Sequence, residues 1–252
     1  MRYRKVFGVI AAAATFIAAA STLSAQDKGD CSEGHEEGMC VRTALVTFDR
    51  GTESWQADVL PQFGGFTAEK TGGFPGAQGH FIANGVFGAV LYNKVDPRFI
   101  GDLSHLKIAT VSTDLKSNKI VTEGTTTPTP RHLVLSLRSH ALARAPYLYA
   151  SVEYDLGNIQ PTQDWKTYVV SFTPGSIELP NGWAGYGSDD PVTGAPMLPA
   201  GITFTDILAQ VDEVAFTTFQ TGFFYDPGDF DLNFDNIRLT RECNQLLDTH
   251  CR

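Results

Sequence analysis

Along much of the chain the hydrophobic positions recur at every second residue, the period of a strand that buries one face. His132 to Ser139 puts Leu133, Leu135 and Leu137 on one side and His132, Val134, Ser136 and Arg138 on the other. Leu148 to Asp155 repeats the device, with Ala150, Val152 and Tyr154 opposed to Tyr149, Ser151 and Glu153. Thr43 to Phe48, Val86 to Asn93, Lys107 to Thr113, Trp165 to Phe172, Glu213 to Phe219 and Phe234 to Thr240 are further β-branched or aromatic-rich runs bounded by Gly, Pro, Asn or Asp. Only one stretch reads as helix: Thr203 or Thr205 suits the N-cap of a short turn through Asp206, Ile207, Leu208, Ala209 and Gln210. Short strands divided by turn signals predict an all-β antiparallel β-sandwich or jelly roll with one short helix, rather than a βαβ sheet.

The connections carry less pattern. Thr122 to Pro130 lacks large apolar residues and holds two prolines, which predicts an exposed, extended link. Asn181 to Gly201 is longer and carries Trp183, Tyr186, Asp189 and Asp190 among glycines and prolines. The glycine-rich block Gly64 to Gly79 precedes a strand but lacks the Gly-Lys-Ser/Thr end and following helix of a phosphate loop.

The first residues change the picture of where the chain works. Arg2, Arg4 and Lys5 precede an apolar run from Val6 to Ala20, and small residues follow to Ala25. This is the layout of a signal peptide over residues 1–25, and the run is short for a membrane span. The expected location is therefore secreted, periplasmic or cell-surface, with no later span. Without those three cations, 16 basic residues face 28 acidic ones, a formal charge of −12. Such a surface disfavours nucleic acid and anionic membrane as partners. The remaining 227 residues fit one sandwich domain over 43–240, flanked by cysteine-containing segments at 26–42 and 241–252. An even set of cysteines, Cys31, Cys40, Cys243 and Cys251, in an exported chain reads as two disulfides; the spacings match no Cys-x₂-Cys zinc pattern.

Five segments stand in a telling order. Phe48-Asp49-Arg50-Gly51-Thr52-Glu53-Ser54-Trp55 comes first, and Thr71-Gly72-Gly73-Phe74-Pro75-Gly76 forms the next turn. Pro97-Arg98-Phe99-Ile100-Gly101-Asp102-Leu103-Ser104 follows, then the Phe204–Val211 helix and the closing Phe234-Asp235-Asn236-Ile237-Arg238-Leu239 strand. Together they resemble the laminin IV-like (laminin B) domain. The resemblance spans about residues 48–240 and implies a galactose-binding-like jelly roll of stand-alone bacterial type, serving as an extracellular scaffold for adhesion or glycan contact. It also implies that the first and last strands lie antiparallel and adjacent. With Thr43 facing Thr240, Cys40 would face Cys243, and Cys31 would fall almost opposite Cys251. Nested bridges Cys40–Cys243 and Cys31–Cys251 are then expected; the local loops Cys31–Cys40 and Cys243–Cys251 are the alternative.

No catalytic motif stands out. There is no Gly-x-Ser-x-Gly elbow, and no pair of carboxylates is singled out for glycoside hydrolysis. Trp183, Tyr186 and Tyr225 lie in loop-like sequence beside acidic or amide residues, a composition that can stack on sugar C–H faces and hydrogen-bond their hydroxyls. Asp49, Glu53 and Asp235 are expected to hold one structural calcium where the opening and closing strands meet. The expected function is a non-catalytic binding or adhesion module contacting an extracellular glycan or protein surface. A structural envelope protein without a small ligand and a polysaccharide-acting enzyme are the alternatives.

Overall fold

The period-two pattern becomes two antiparallel six-stranded sheets packed face to face in the computed structural model, which describes residues 39–244. In chain order the strands are β1 (Met39–Val46), β2 (Gln56–Ala57), β3 (Gly64–Gly73), β4 (Gly76–Val86), β5 (Val90–Asn93), β6 (Ile108–Thr122) and β7 (Arg131–Ser139). After these come β8 (Ala150–Ile159), β9 (Gln163–Phe172), β10 (Trp183–Tyr186), β11 (Ser188–Asp189) and β12 (Pro196–Met197). Helix α1 (Phe204–Leu208), β13 (Glu213–Thr217) and β14 (Gly228–Asn244) complete the fold. The first sheet runs β3-β4-β14-β6-β9 with β1 also on β14; the second runs β10-β8-β7-β13-β5-β2. The expected antiparallel jelly-roll sandwich is the observed class.

The buried side of the predicted alternation is the core. Leu133, Leu135 and Leu137 of β7 and Val152 of β8 join Val111, Leu115, Leu232, Phe234 and Ile237 from the facing sheet. Trp55 closes one region of it, stacked on Phe216 at 5.8 Å and edge-on to Phe99 at 5.5 Å. The short helix forms as expected. The Thr203 hydroxyl accepts from the Asp206 amide and the Asp206 carboxylate accepts from the Thr203 backbone N–H, a capping box, while Phe204, Ile207 and Leu208 point inward.

The glycine-rich block at 64–79 is the element the pattern hid, because glycine contributes nothing to an alternation. It forms most of the β3–β4 hairpin, whose tip is Phe74-Pro75. A Cβ at Gly73 would lie 1.7 Å from the Ala77 carbonyl oxygen and 2.8 Å from an Asp235 carboxylate oxygen, so only glycine lets the turn close over β14.

Strand β14 organises the first sheet. Its first half pairs with β4, its second half with β1, and nearly its whole length with β6 on the other edge. The exchange of partners falls at a register shift between Asp235 and Arg238, with Asn236 at φ 48°. The expected β1–β14 register is present: Thr43 faces Thr240 and Cys40 faces Cys243. The Cys40–Cys243 bridge, however, is not formed, since Cys40 carries a free, buried thiol. The Cys243 sulfur is already committed to a disulfide. Directly opposed residues also hold their Cβ atoms about 4.5–5.5 Å apart, wider than the roughly 3.8 Å a disulfide favours. The free thiol equally removes the local Cys31–Cys40 loop. Cys31, Cys251 and the signal-peptide reading of residues 1–25 lie outside the described residues. Among the described residues no helix is long and apolar enough to cross a membrane.

Candidate functional site

The outer face of the second sheet carries charged and hydroxyl side chains in two cross-strand rows. One row runs Tyr186, Ser151, Arg138, Glu213 across β10, β8, β7 and β13. The neighbouring row runs Ala184, Glu153, Ser136, Ala215, Tyr92, Gln56 and reaches β5 and β2. A polar outer face is what the alternation of β7 and β8 predicts. Its burial is not: Ser136 and Ser151 are fully buried, and Arg138, Glu153 and Glu213 keep 6%, 8% and 5% of their surface.

Two loops account for this. Residues 140–149, between β7 and β8, bring His140, Tyr147 and Tyr149 over one end. His140 Nε2 lies 3.2 Å from Glu213 Oε2, and the Arg138 guanidinium sits 4.5 Å from the Tyr149 ring centre. Residues 218–227, between β13 and β14, cover the other end. The Thr221 hydroxyl donates to Glu153 Oε2, and Gln220 donates to Asp155 at 3.2 Å.

Under these loops the charges are matched rather than left bare. Arg138 Nη1 donates to Glu213 Oε1 at 2.5 Å and Nε to Ser136 Oγ at 3.0 Å. Ser136 and Ser151 both donate to Glu153 Oε1, at 3.2 and 3.1 Å. Water cannot supply these bonds at such burial, so the network holds each side chain in one orientation. Beside it Tyr147, Tyr149 and Tyr186 form a touching aromatic group, with Tyr186 5.2 Å from Tyr147 and 5.3 Å from Tyr149. All three remain partly exposed. Burial pushes the Tyr149 hydroxyl up to about 12, and a hydrogen bond to Asp189 does the same for Tyr147. Burial, then the Glu153 charge, also raises Tyr186. At neutral pH the group therefore presents neutral rings with O–H donors.

The residues singled out in the sequence divide among different places. Tyr186 belongs to this aromatic group. Trp183 does not: period two turns it inward, where it packs at 4.9 Å from Phe172 and 5.1 Å from Phe204 and is 9% exposed. It plugs the end of the core. Tyr225 anchors the 218–227 loop, its ring 4.5 Å from the buried Arg131 guanidinium and its hydroxyl bonded to Gln220. On the same loop Phe223 and Phe224 are exposed. Arg138, Glu153, Glu213, Tyr147 and Tyr149 were missed as site residues. The signal available was a strand whose polar face carries both a cation and hydroxyls, facing a strand with a glutamate on the same parity.

Asp49 and Asp235 do approach one another at the Gly73–Gly76 turn. Asp235 is fully buried, accepting from Phe74 N at 2.6 Å and Asn236 N at 2.7 Å. Burial raises its pKa; those two bonds oppose the rise, and the charges of Asp114 and Asp49 add to it. Glu53 is drawn away by Arg98, at 3.4 Å. Among the described residues no three His, Cys, Asp or Glu side chains converge on a common metal position.

No family model matches the chain, that of the laminin IV-like domain included, and no curated protein matches it. Solved structures resemble it in outline. A family 11 carbohydrate-binding module from Clostridium thermocellum, in complex with a mixed-linked tetrasaccharide, aligns with 78% of this chain and 94% of its own at 16% identity and TM-score 0.41. A xylan-binding domain from Paenibacillus barcinonensis aligns with 79% of this chain and 98% of its own, at 10% identity and TM-score 0.42. An N-terminal endo-1,4-β-D-xylanase from Clostridium thermocellum aligns with 79% of this chain at 14% identity and TM-score 0.43, and this chain spans 28% of it. Likenesses at this level carry no argument about a ligand, which has to come from the side chains themselves.

Proposed function

We propose that the chain is an exported, non-catalytic glycan-binding module whose contact surface is the outer face of the second sheet. One observation carries the reading: three touching, partly exposed tyrosines lie beside a buried, hydrogen-bonded network of Ser151, Arg138, Glu213, Ser136 and Glu153, with the Arg138 guanidinium against the Tyr149 ring. Sugars offer an apolar C–H face and a hydroxyl edge, and neutral tyrosine rings carrying O–H groups complement both. Both carboxylates of the network are spent on partners, Glu213 on Arg138 and His140, Glu153 on three hydroxyls. That supports binding over acid–base catalysis, which needs a carboxyl group free to exchange a proton with substrate.

Affinity electrophoresis against a panel of soluble polysaccharides tests this. At least one polysaccharide is expected to retard the protein, and Tyr186→Ala to abolish the retardation without lowering the melting temperature. Retardation by none, or release of reducing ends from any member of the panel, overturns the reading.

A structural calcium at the corner between β1 and β14 belongs to the same proposal. A buried Asp235 with Asp49 close by is a repulsion that a divalent ion relieves. Asp49 and Asp235 carry it without Glu53, which is held by Arg98.

A further inference from the structure

The first sheet carries a hollow on its own outer face, apart from the second-sheet site. Its floor crosses three adjacent strands: Ser112 of β6 pairs with Arg238 of β14, and Asp114 of β6 pairs with Asp235 of β14 and Thr167 of β9. Its wall is the β3–β4 turn, folded over the point where β14 exchanges partners. Phe74 N donates to Asp235, and Asn236 Nδ2 donates to the Phe74 carbonyl at 2.5 Å and to Asp114 Oδ2 at 2.8 Å. The result is a cleft of about 300 Å³ bounded by Phe74, Pro75, Ser112, Asp114, Thr167 and Arg238, with Asn236 at the turn.

Two features set it apart from an ordinary solvated sheet face. The Phe74 ring is 54% exposed yet held in place, stacked on Trp165 at 6.2 Å and 20°. Opposite this apolar wall the polar groups have unused capacity. Asp114 is 7% exposed and each of its oxygens accepts one bond, from Thr167 and from Asn236, leaving a lone pair on each. The Arg238 side chain is exposed and makes no hydrogen bond or ion pair among the described residues, so its guanidinium donors are open. An apolar wall, an acceptor and a fork of donors around a volume at the lower limit of small-ligand pockets match one six-membered sugar ring, not an extended chain.

We propose that this cleft binds a single pyranose residue, free or at the end of a glycan, independently of the face on the second sheet. Two sites on opposite faces would let one copy bridge two glycan strands or hold one more tightly by avidity.

Saturation-transfer NMR on the full chain tests it, with glucose, galactose, xylose, glucuronate and galacturonate as probes. At least one is expected to receive transfer, weakened about tenfold or more by Phe74→Ala and by Arg238→Ala and unchanged by Tyr186→Ala. The uronate arms tell whether Arg238 selects a carboxylate. Phe74 and Arg238 are exposed, and unchanged melting temperatures verify that the variants fold. Tryptophan emission gives a second readout, because Trp55 and Trp183 are buried and only Trp165 lies beside the cleft. No transfer to any probe, or transfer that survives both substitutions, overturns the proposal. Loss in Tyr186→Ala alone leaves the second sheet as the sole sugar site and sinks the cleft. Loss in Phe74→Ala with no polysaccharide retardation sustains the cleft and sinks the other face.

Discussion

The outer faces of the two sheets are built from similar residues and end in different physical states. On the first sheet, His80 of β4 bridges Glu69 of β3 at 2.8 Å and Asp231 of β14 at 2.9 Å, and both carboxylates remain well exposed, at 43% and 35%. On the second sheet, Arg138 and Glu213 make an equally direct cross-strand pair with side chains only 7% exposed. The strands differ little; the loops above them differ a great deal. An ion pair in water contributes about 0–1 kcal/mol and is screened by salt. The same pair under a loop contributes little net stability, yet leaves a costly orphan charge when half of it is removed. A polar sheet face becomes a fixed site where a loop excludes water from it, as the 73–76 turn does at Asp114 on the first sheet.

The largest expected effect probes that contrast. Glu213→Ala should destabilise by about 3–5 kcal/mol, because it strands Arg138, whereas Arg138→Met with Glu213→Leu together should cost far less than Glu213→Ala. Denaturant melts of the three proteins check this, and equal losses for the single and double variants would break the comparison. The Asp49–Asp235 corner comes next. If calcium sits there, chelation should lower the melting temperature, by an amount equivalent to about 2.7 kcal/mol when free calcium had been about a hundredfold above its dissociation constant. A melting curve that ignores chelator removes calcium from the fold.

The smallest effect belongs to the open face of the first sheet and depends on pH. Burial pulls the His80 pKa down, but hydrogen bonds and charge from Asp231 and Glu69 outweigh it and leave the value raised. Its stabilising contribution is thus complete below about pH 6.5 and lost as pH rises through the raised folded value. Hydrogen bonds from Gln78 and then His80 lower the Glu69 pKa, so that contribution is present above its unfolded value and fades as pH falls through the depressed one. Between about pH 6 and pH 8 the wild type should lose more stability than His80→Gln. Parallel losses in the two proteins would show that the exposed triad has no weight.

Much of the architecture was legible in the residues. Alternation in β7 and β8 identified the core face, the choice of Thr203 or Thr205 bracketed the helix start that Thr203 caps, and aligning the ends of the first and last strands gave the Thr43–Thr240 register. These features are local, or rest on one antiparallel pairing, and backbone geometry alone imposes their periods. Even the inward turn of Trp183 was implicit in its being an odd number of residues from Tyr186, on the opposite face of the strand. What the chain could not disclose is which polar face lies under a loop, because that depends on contacts between distant residues. Thr221 meets Glu153 across 68 positions and Arg138 meets Glu213 across 75. Trp165 points outward by the parity of β9, but a turn 91 positions earlier is what sets Phe74 beside it. Periodicity decides which way a side chain points; only the tertiary structure decides what, if anything, stands above it.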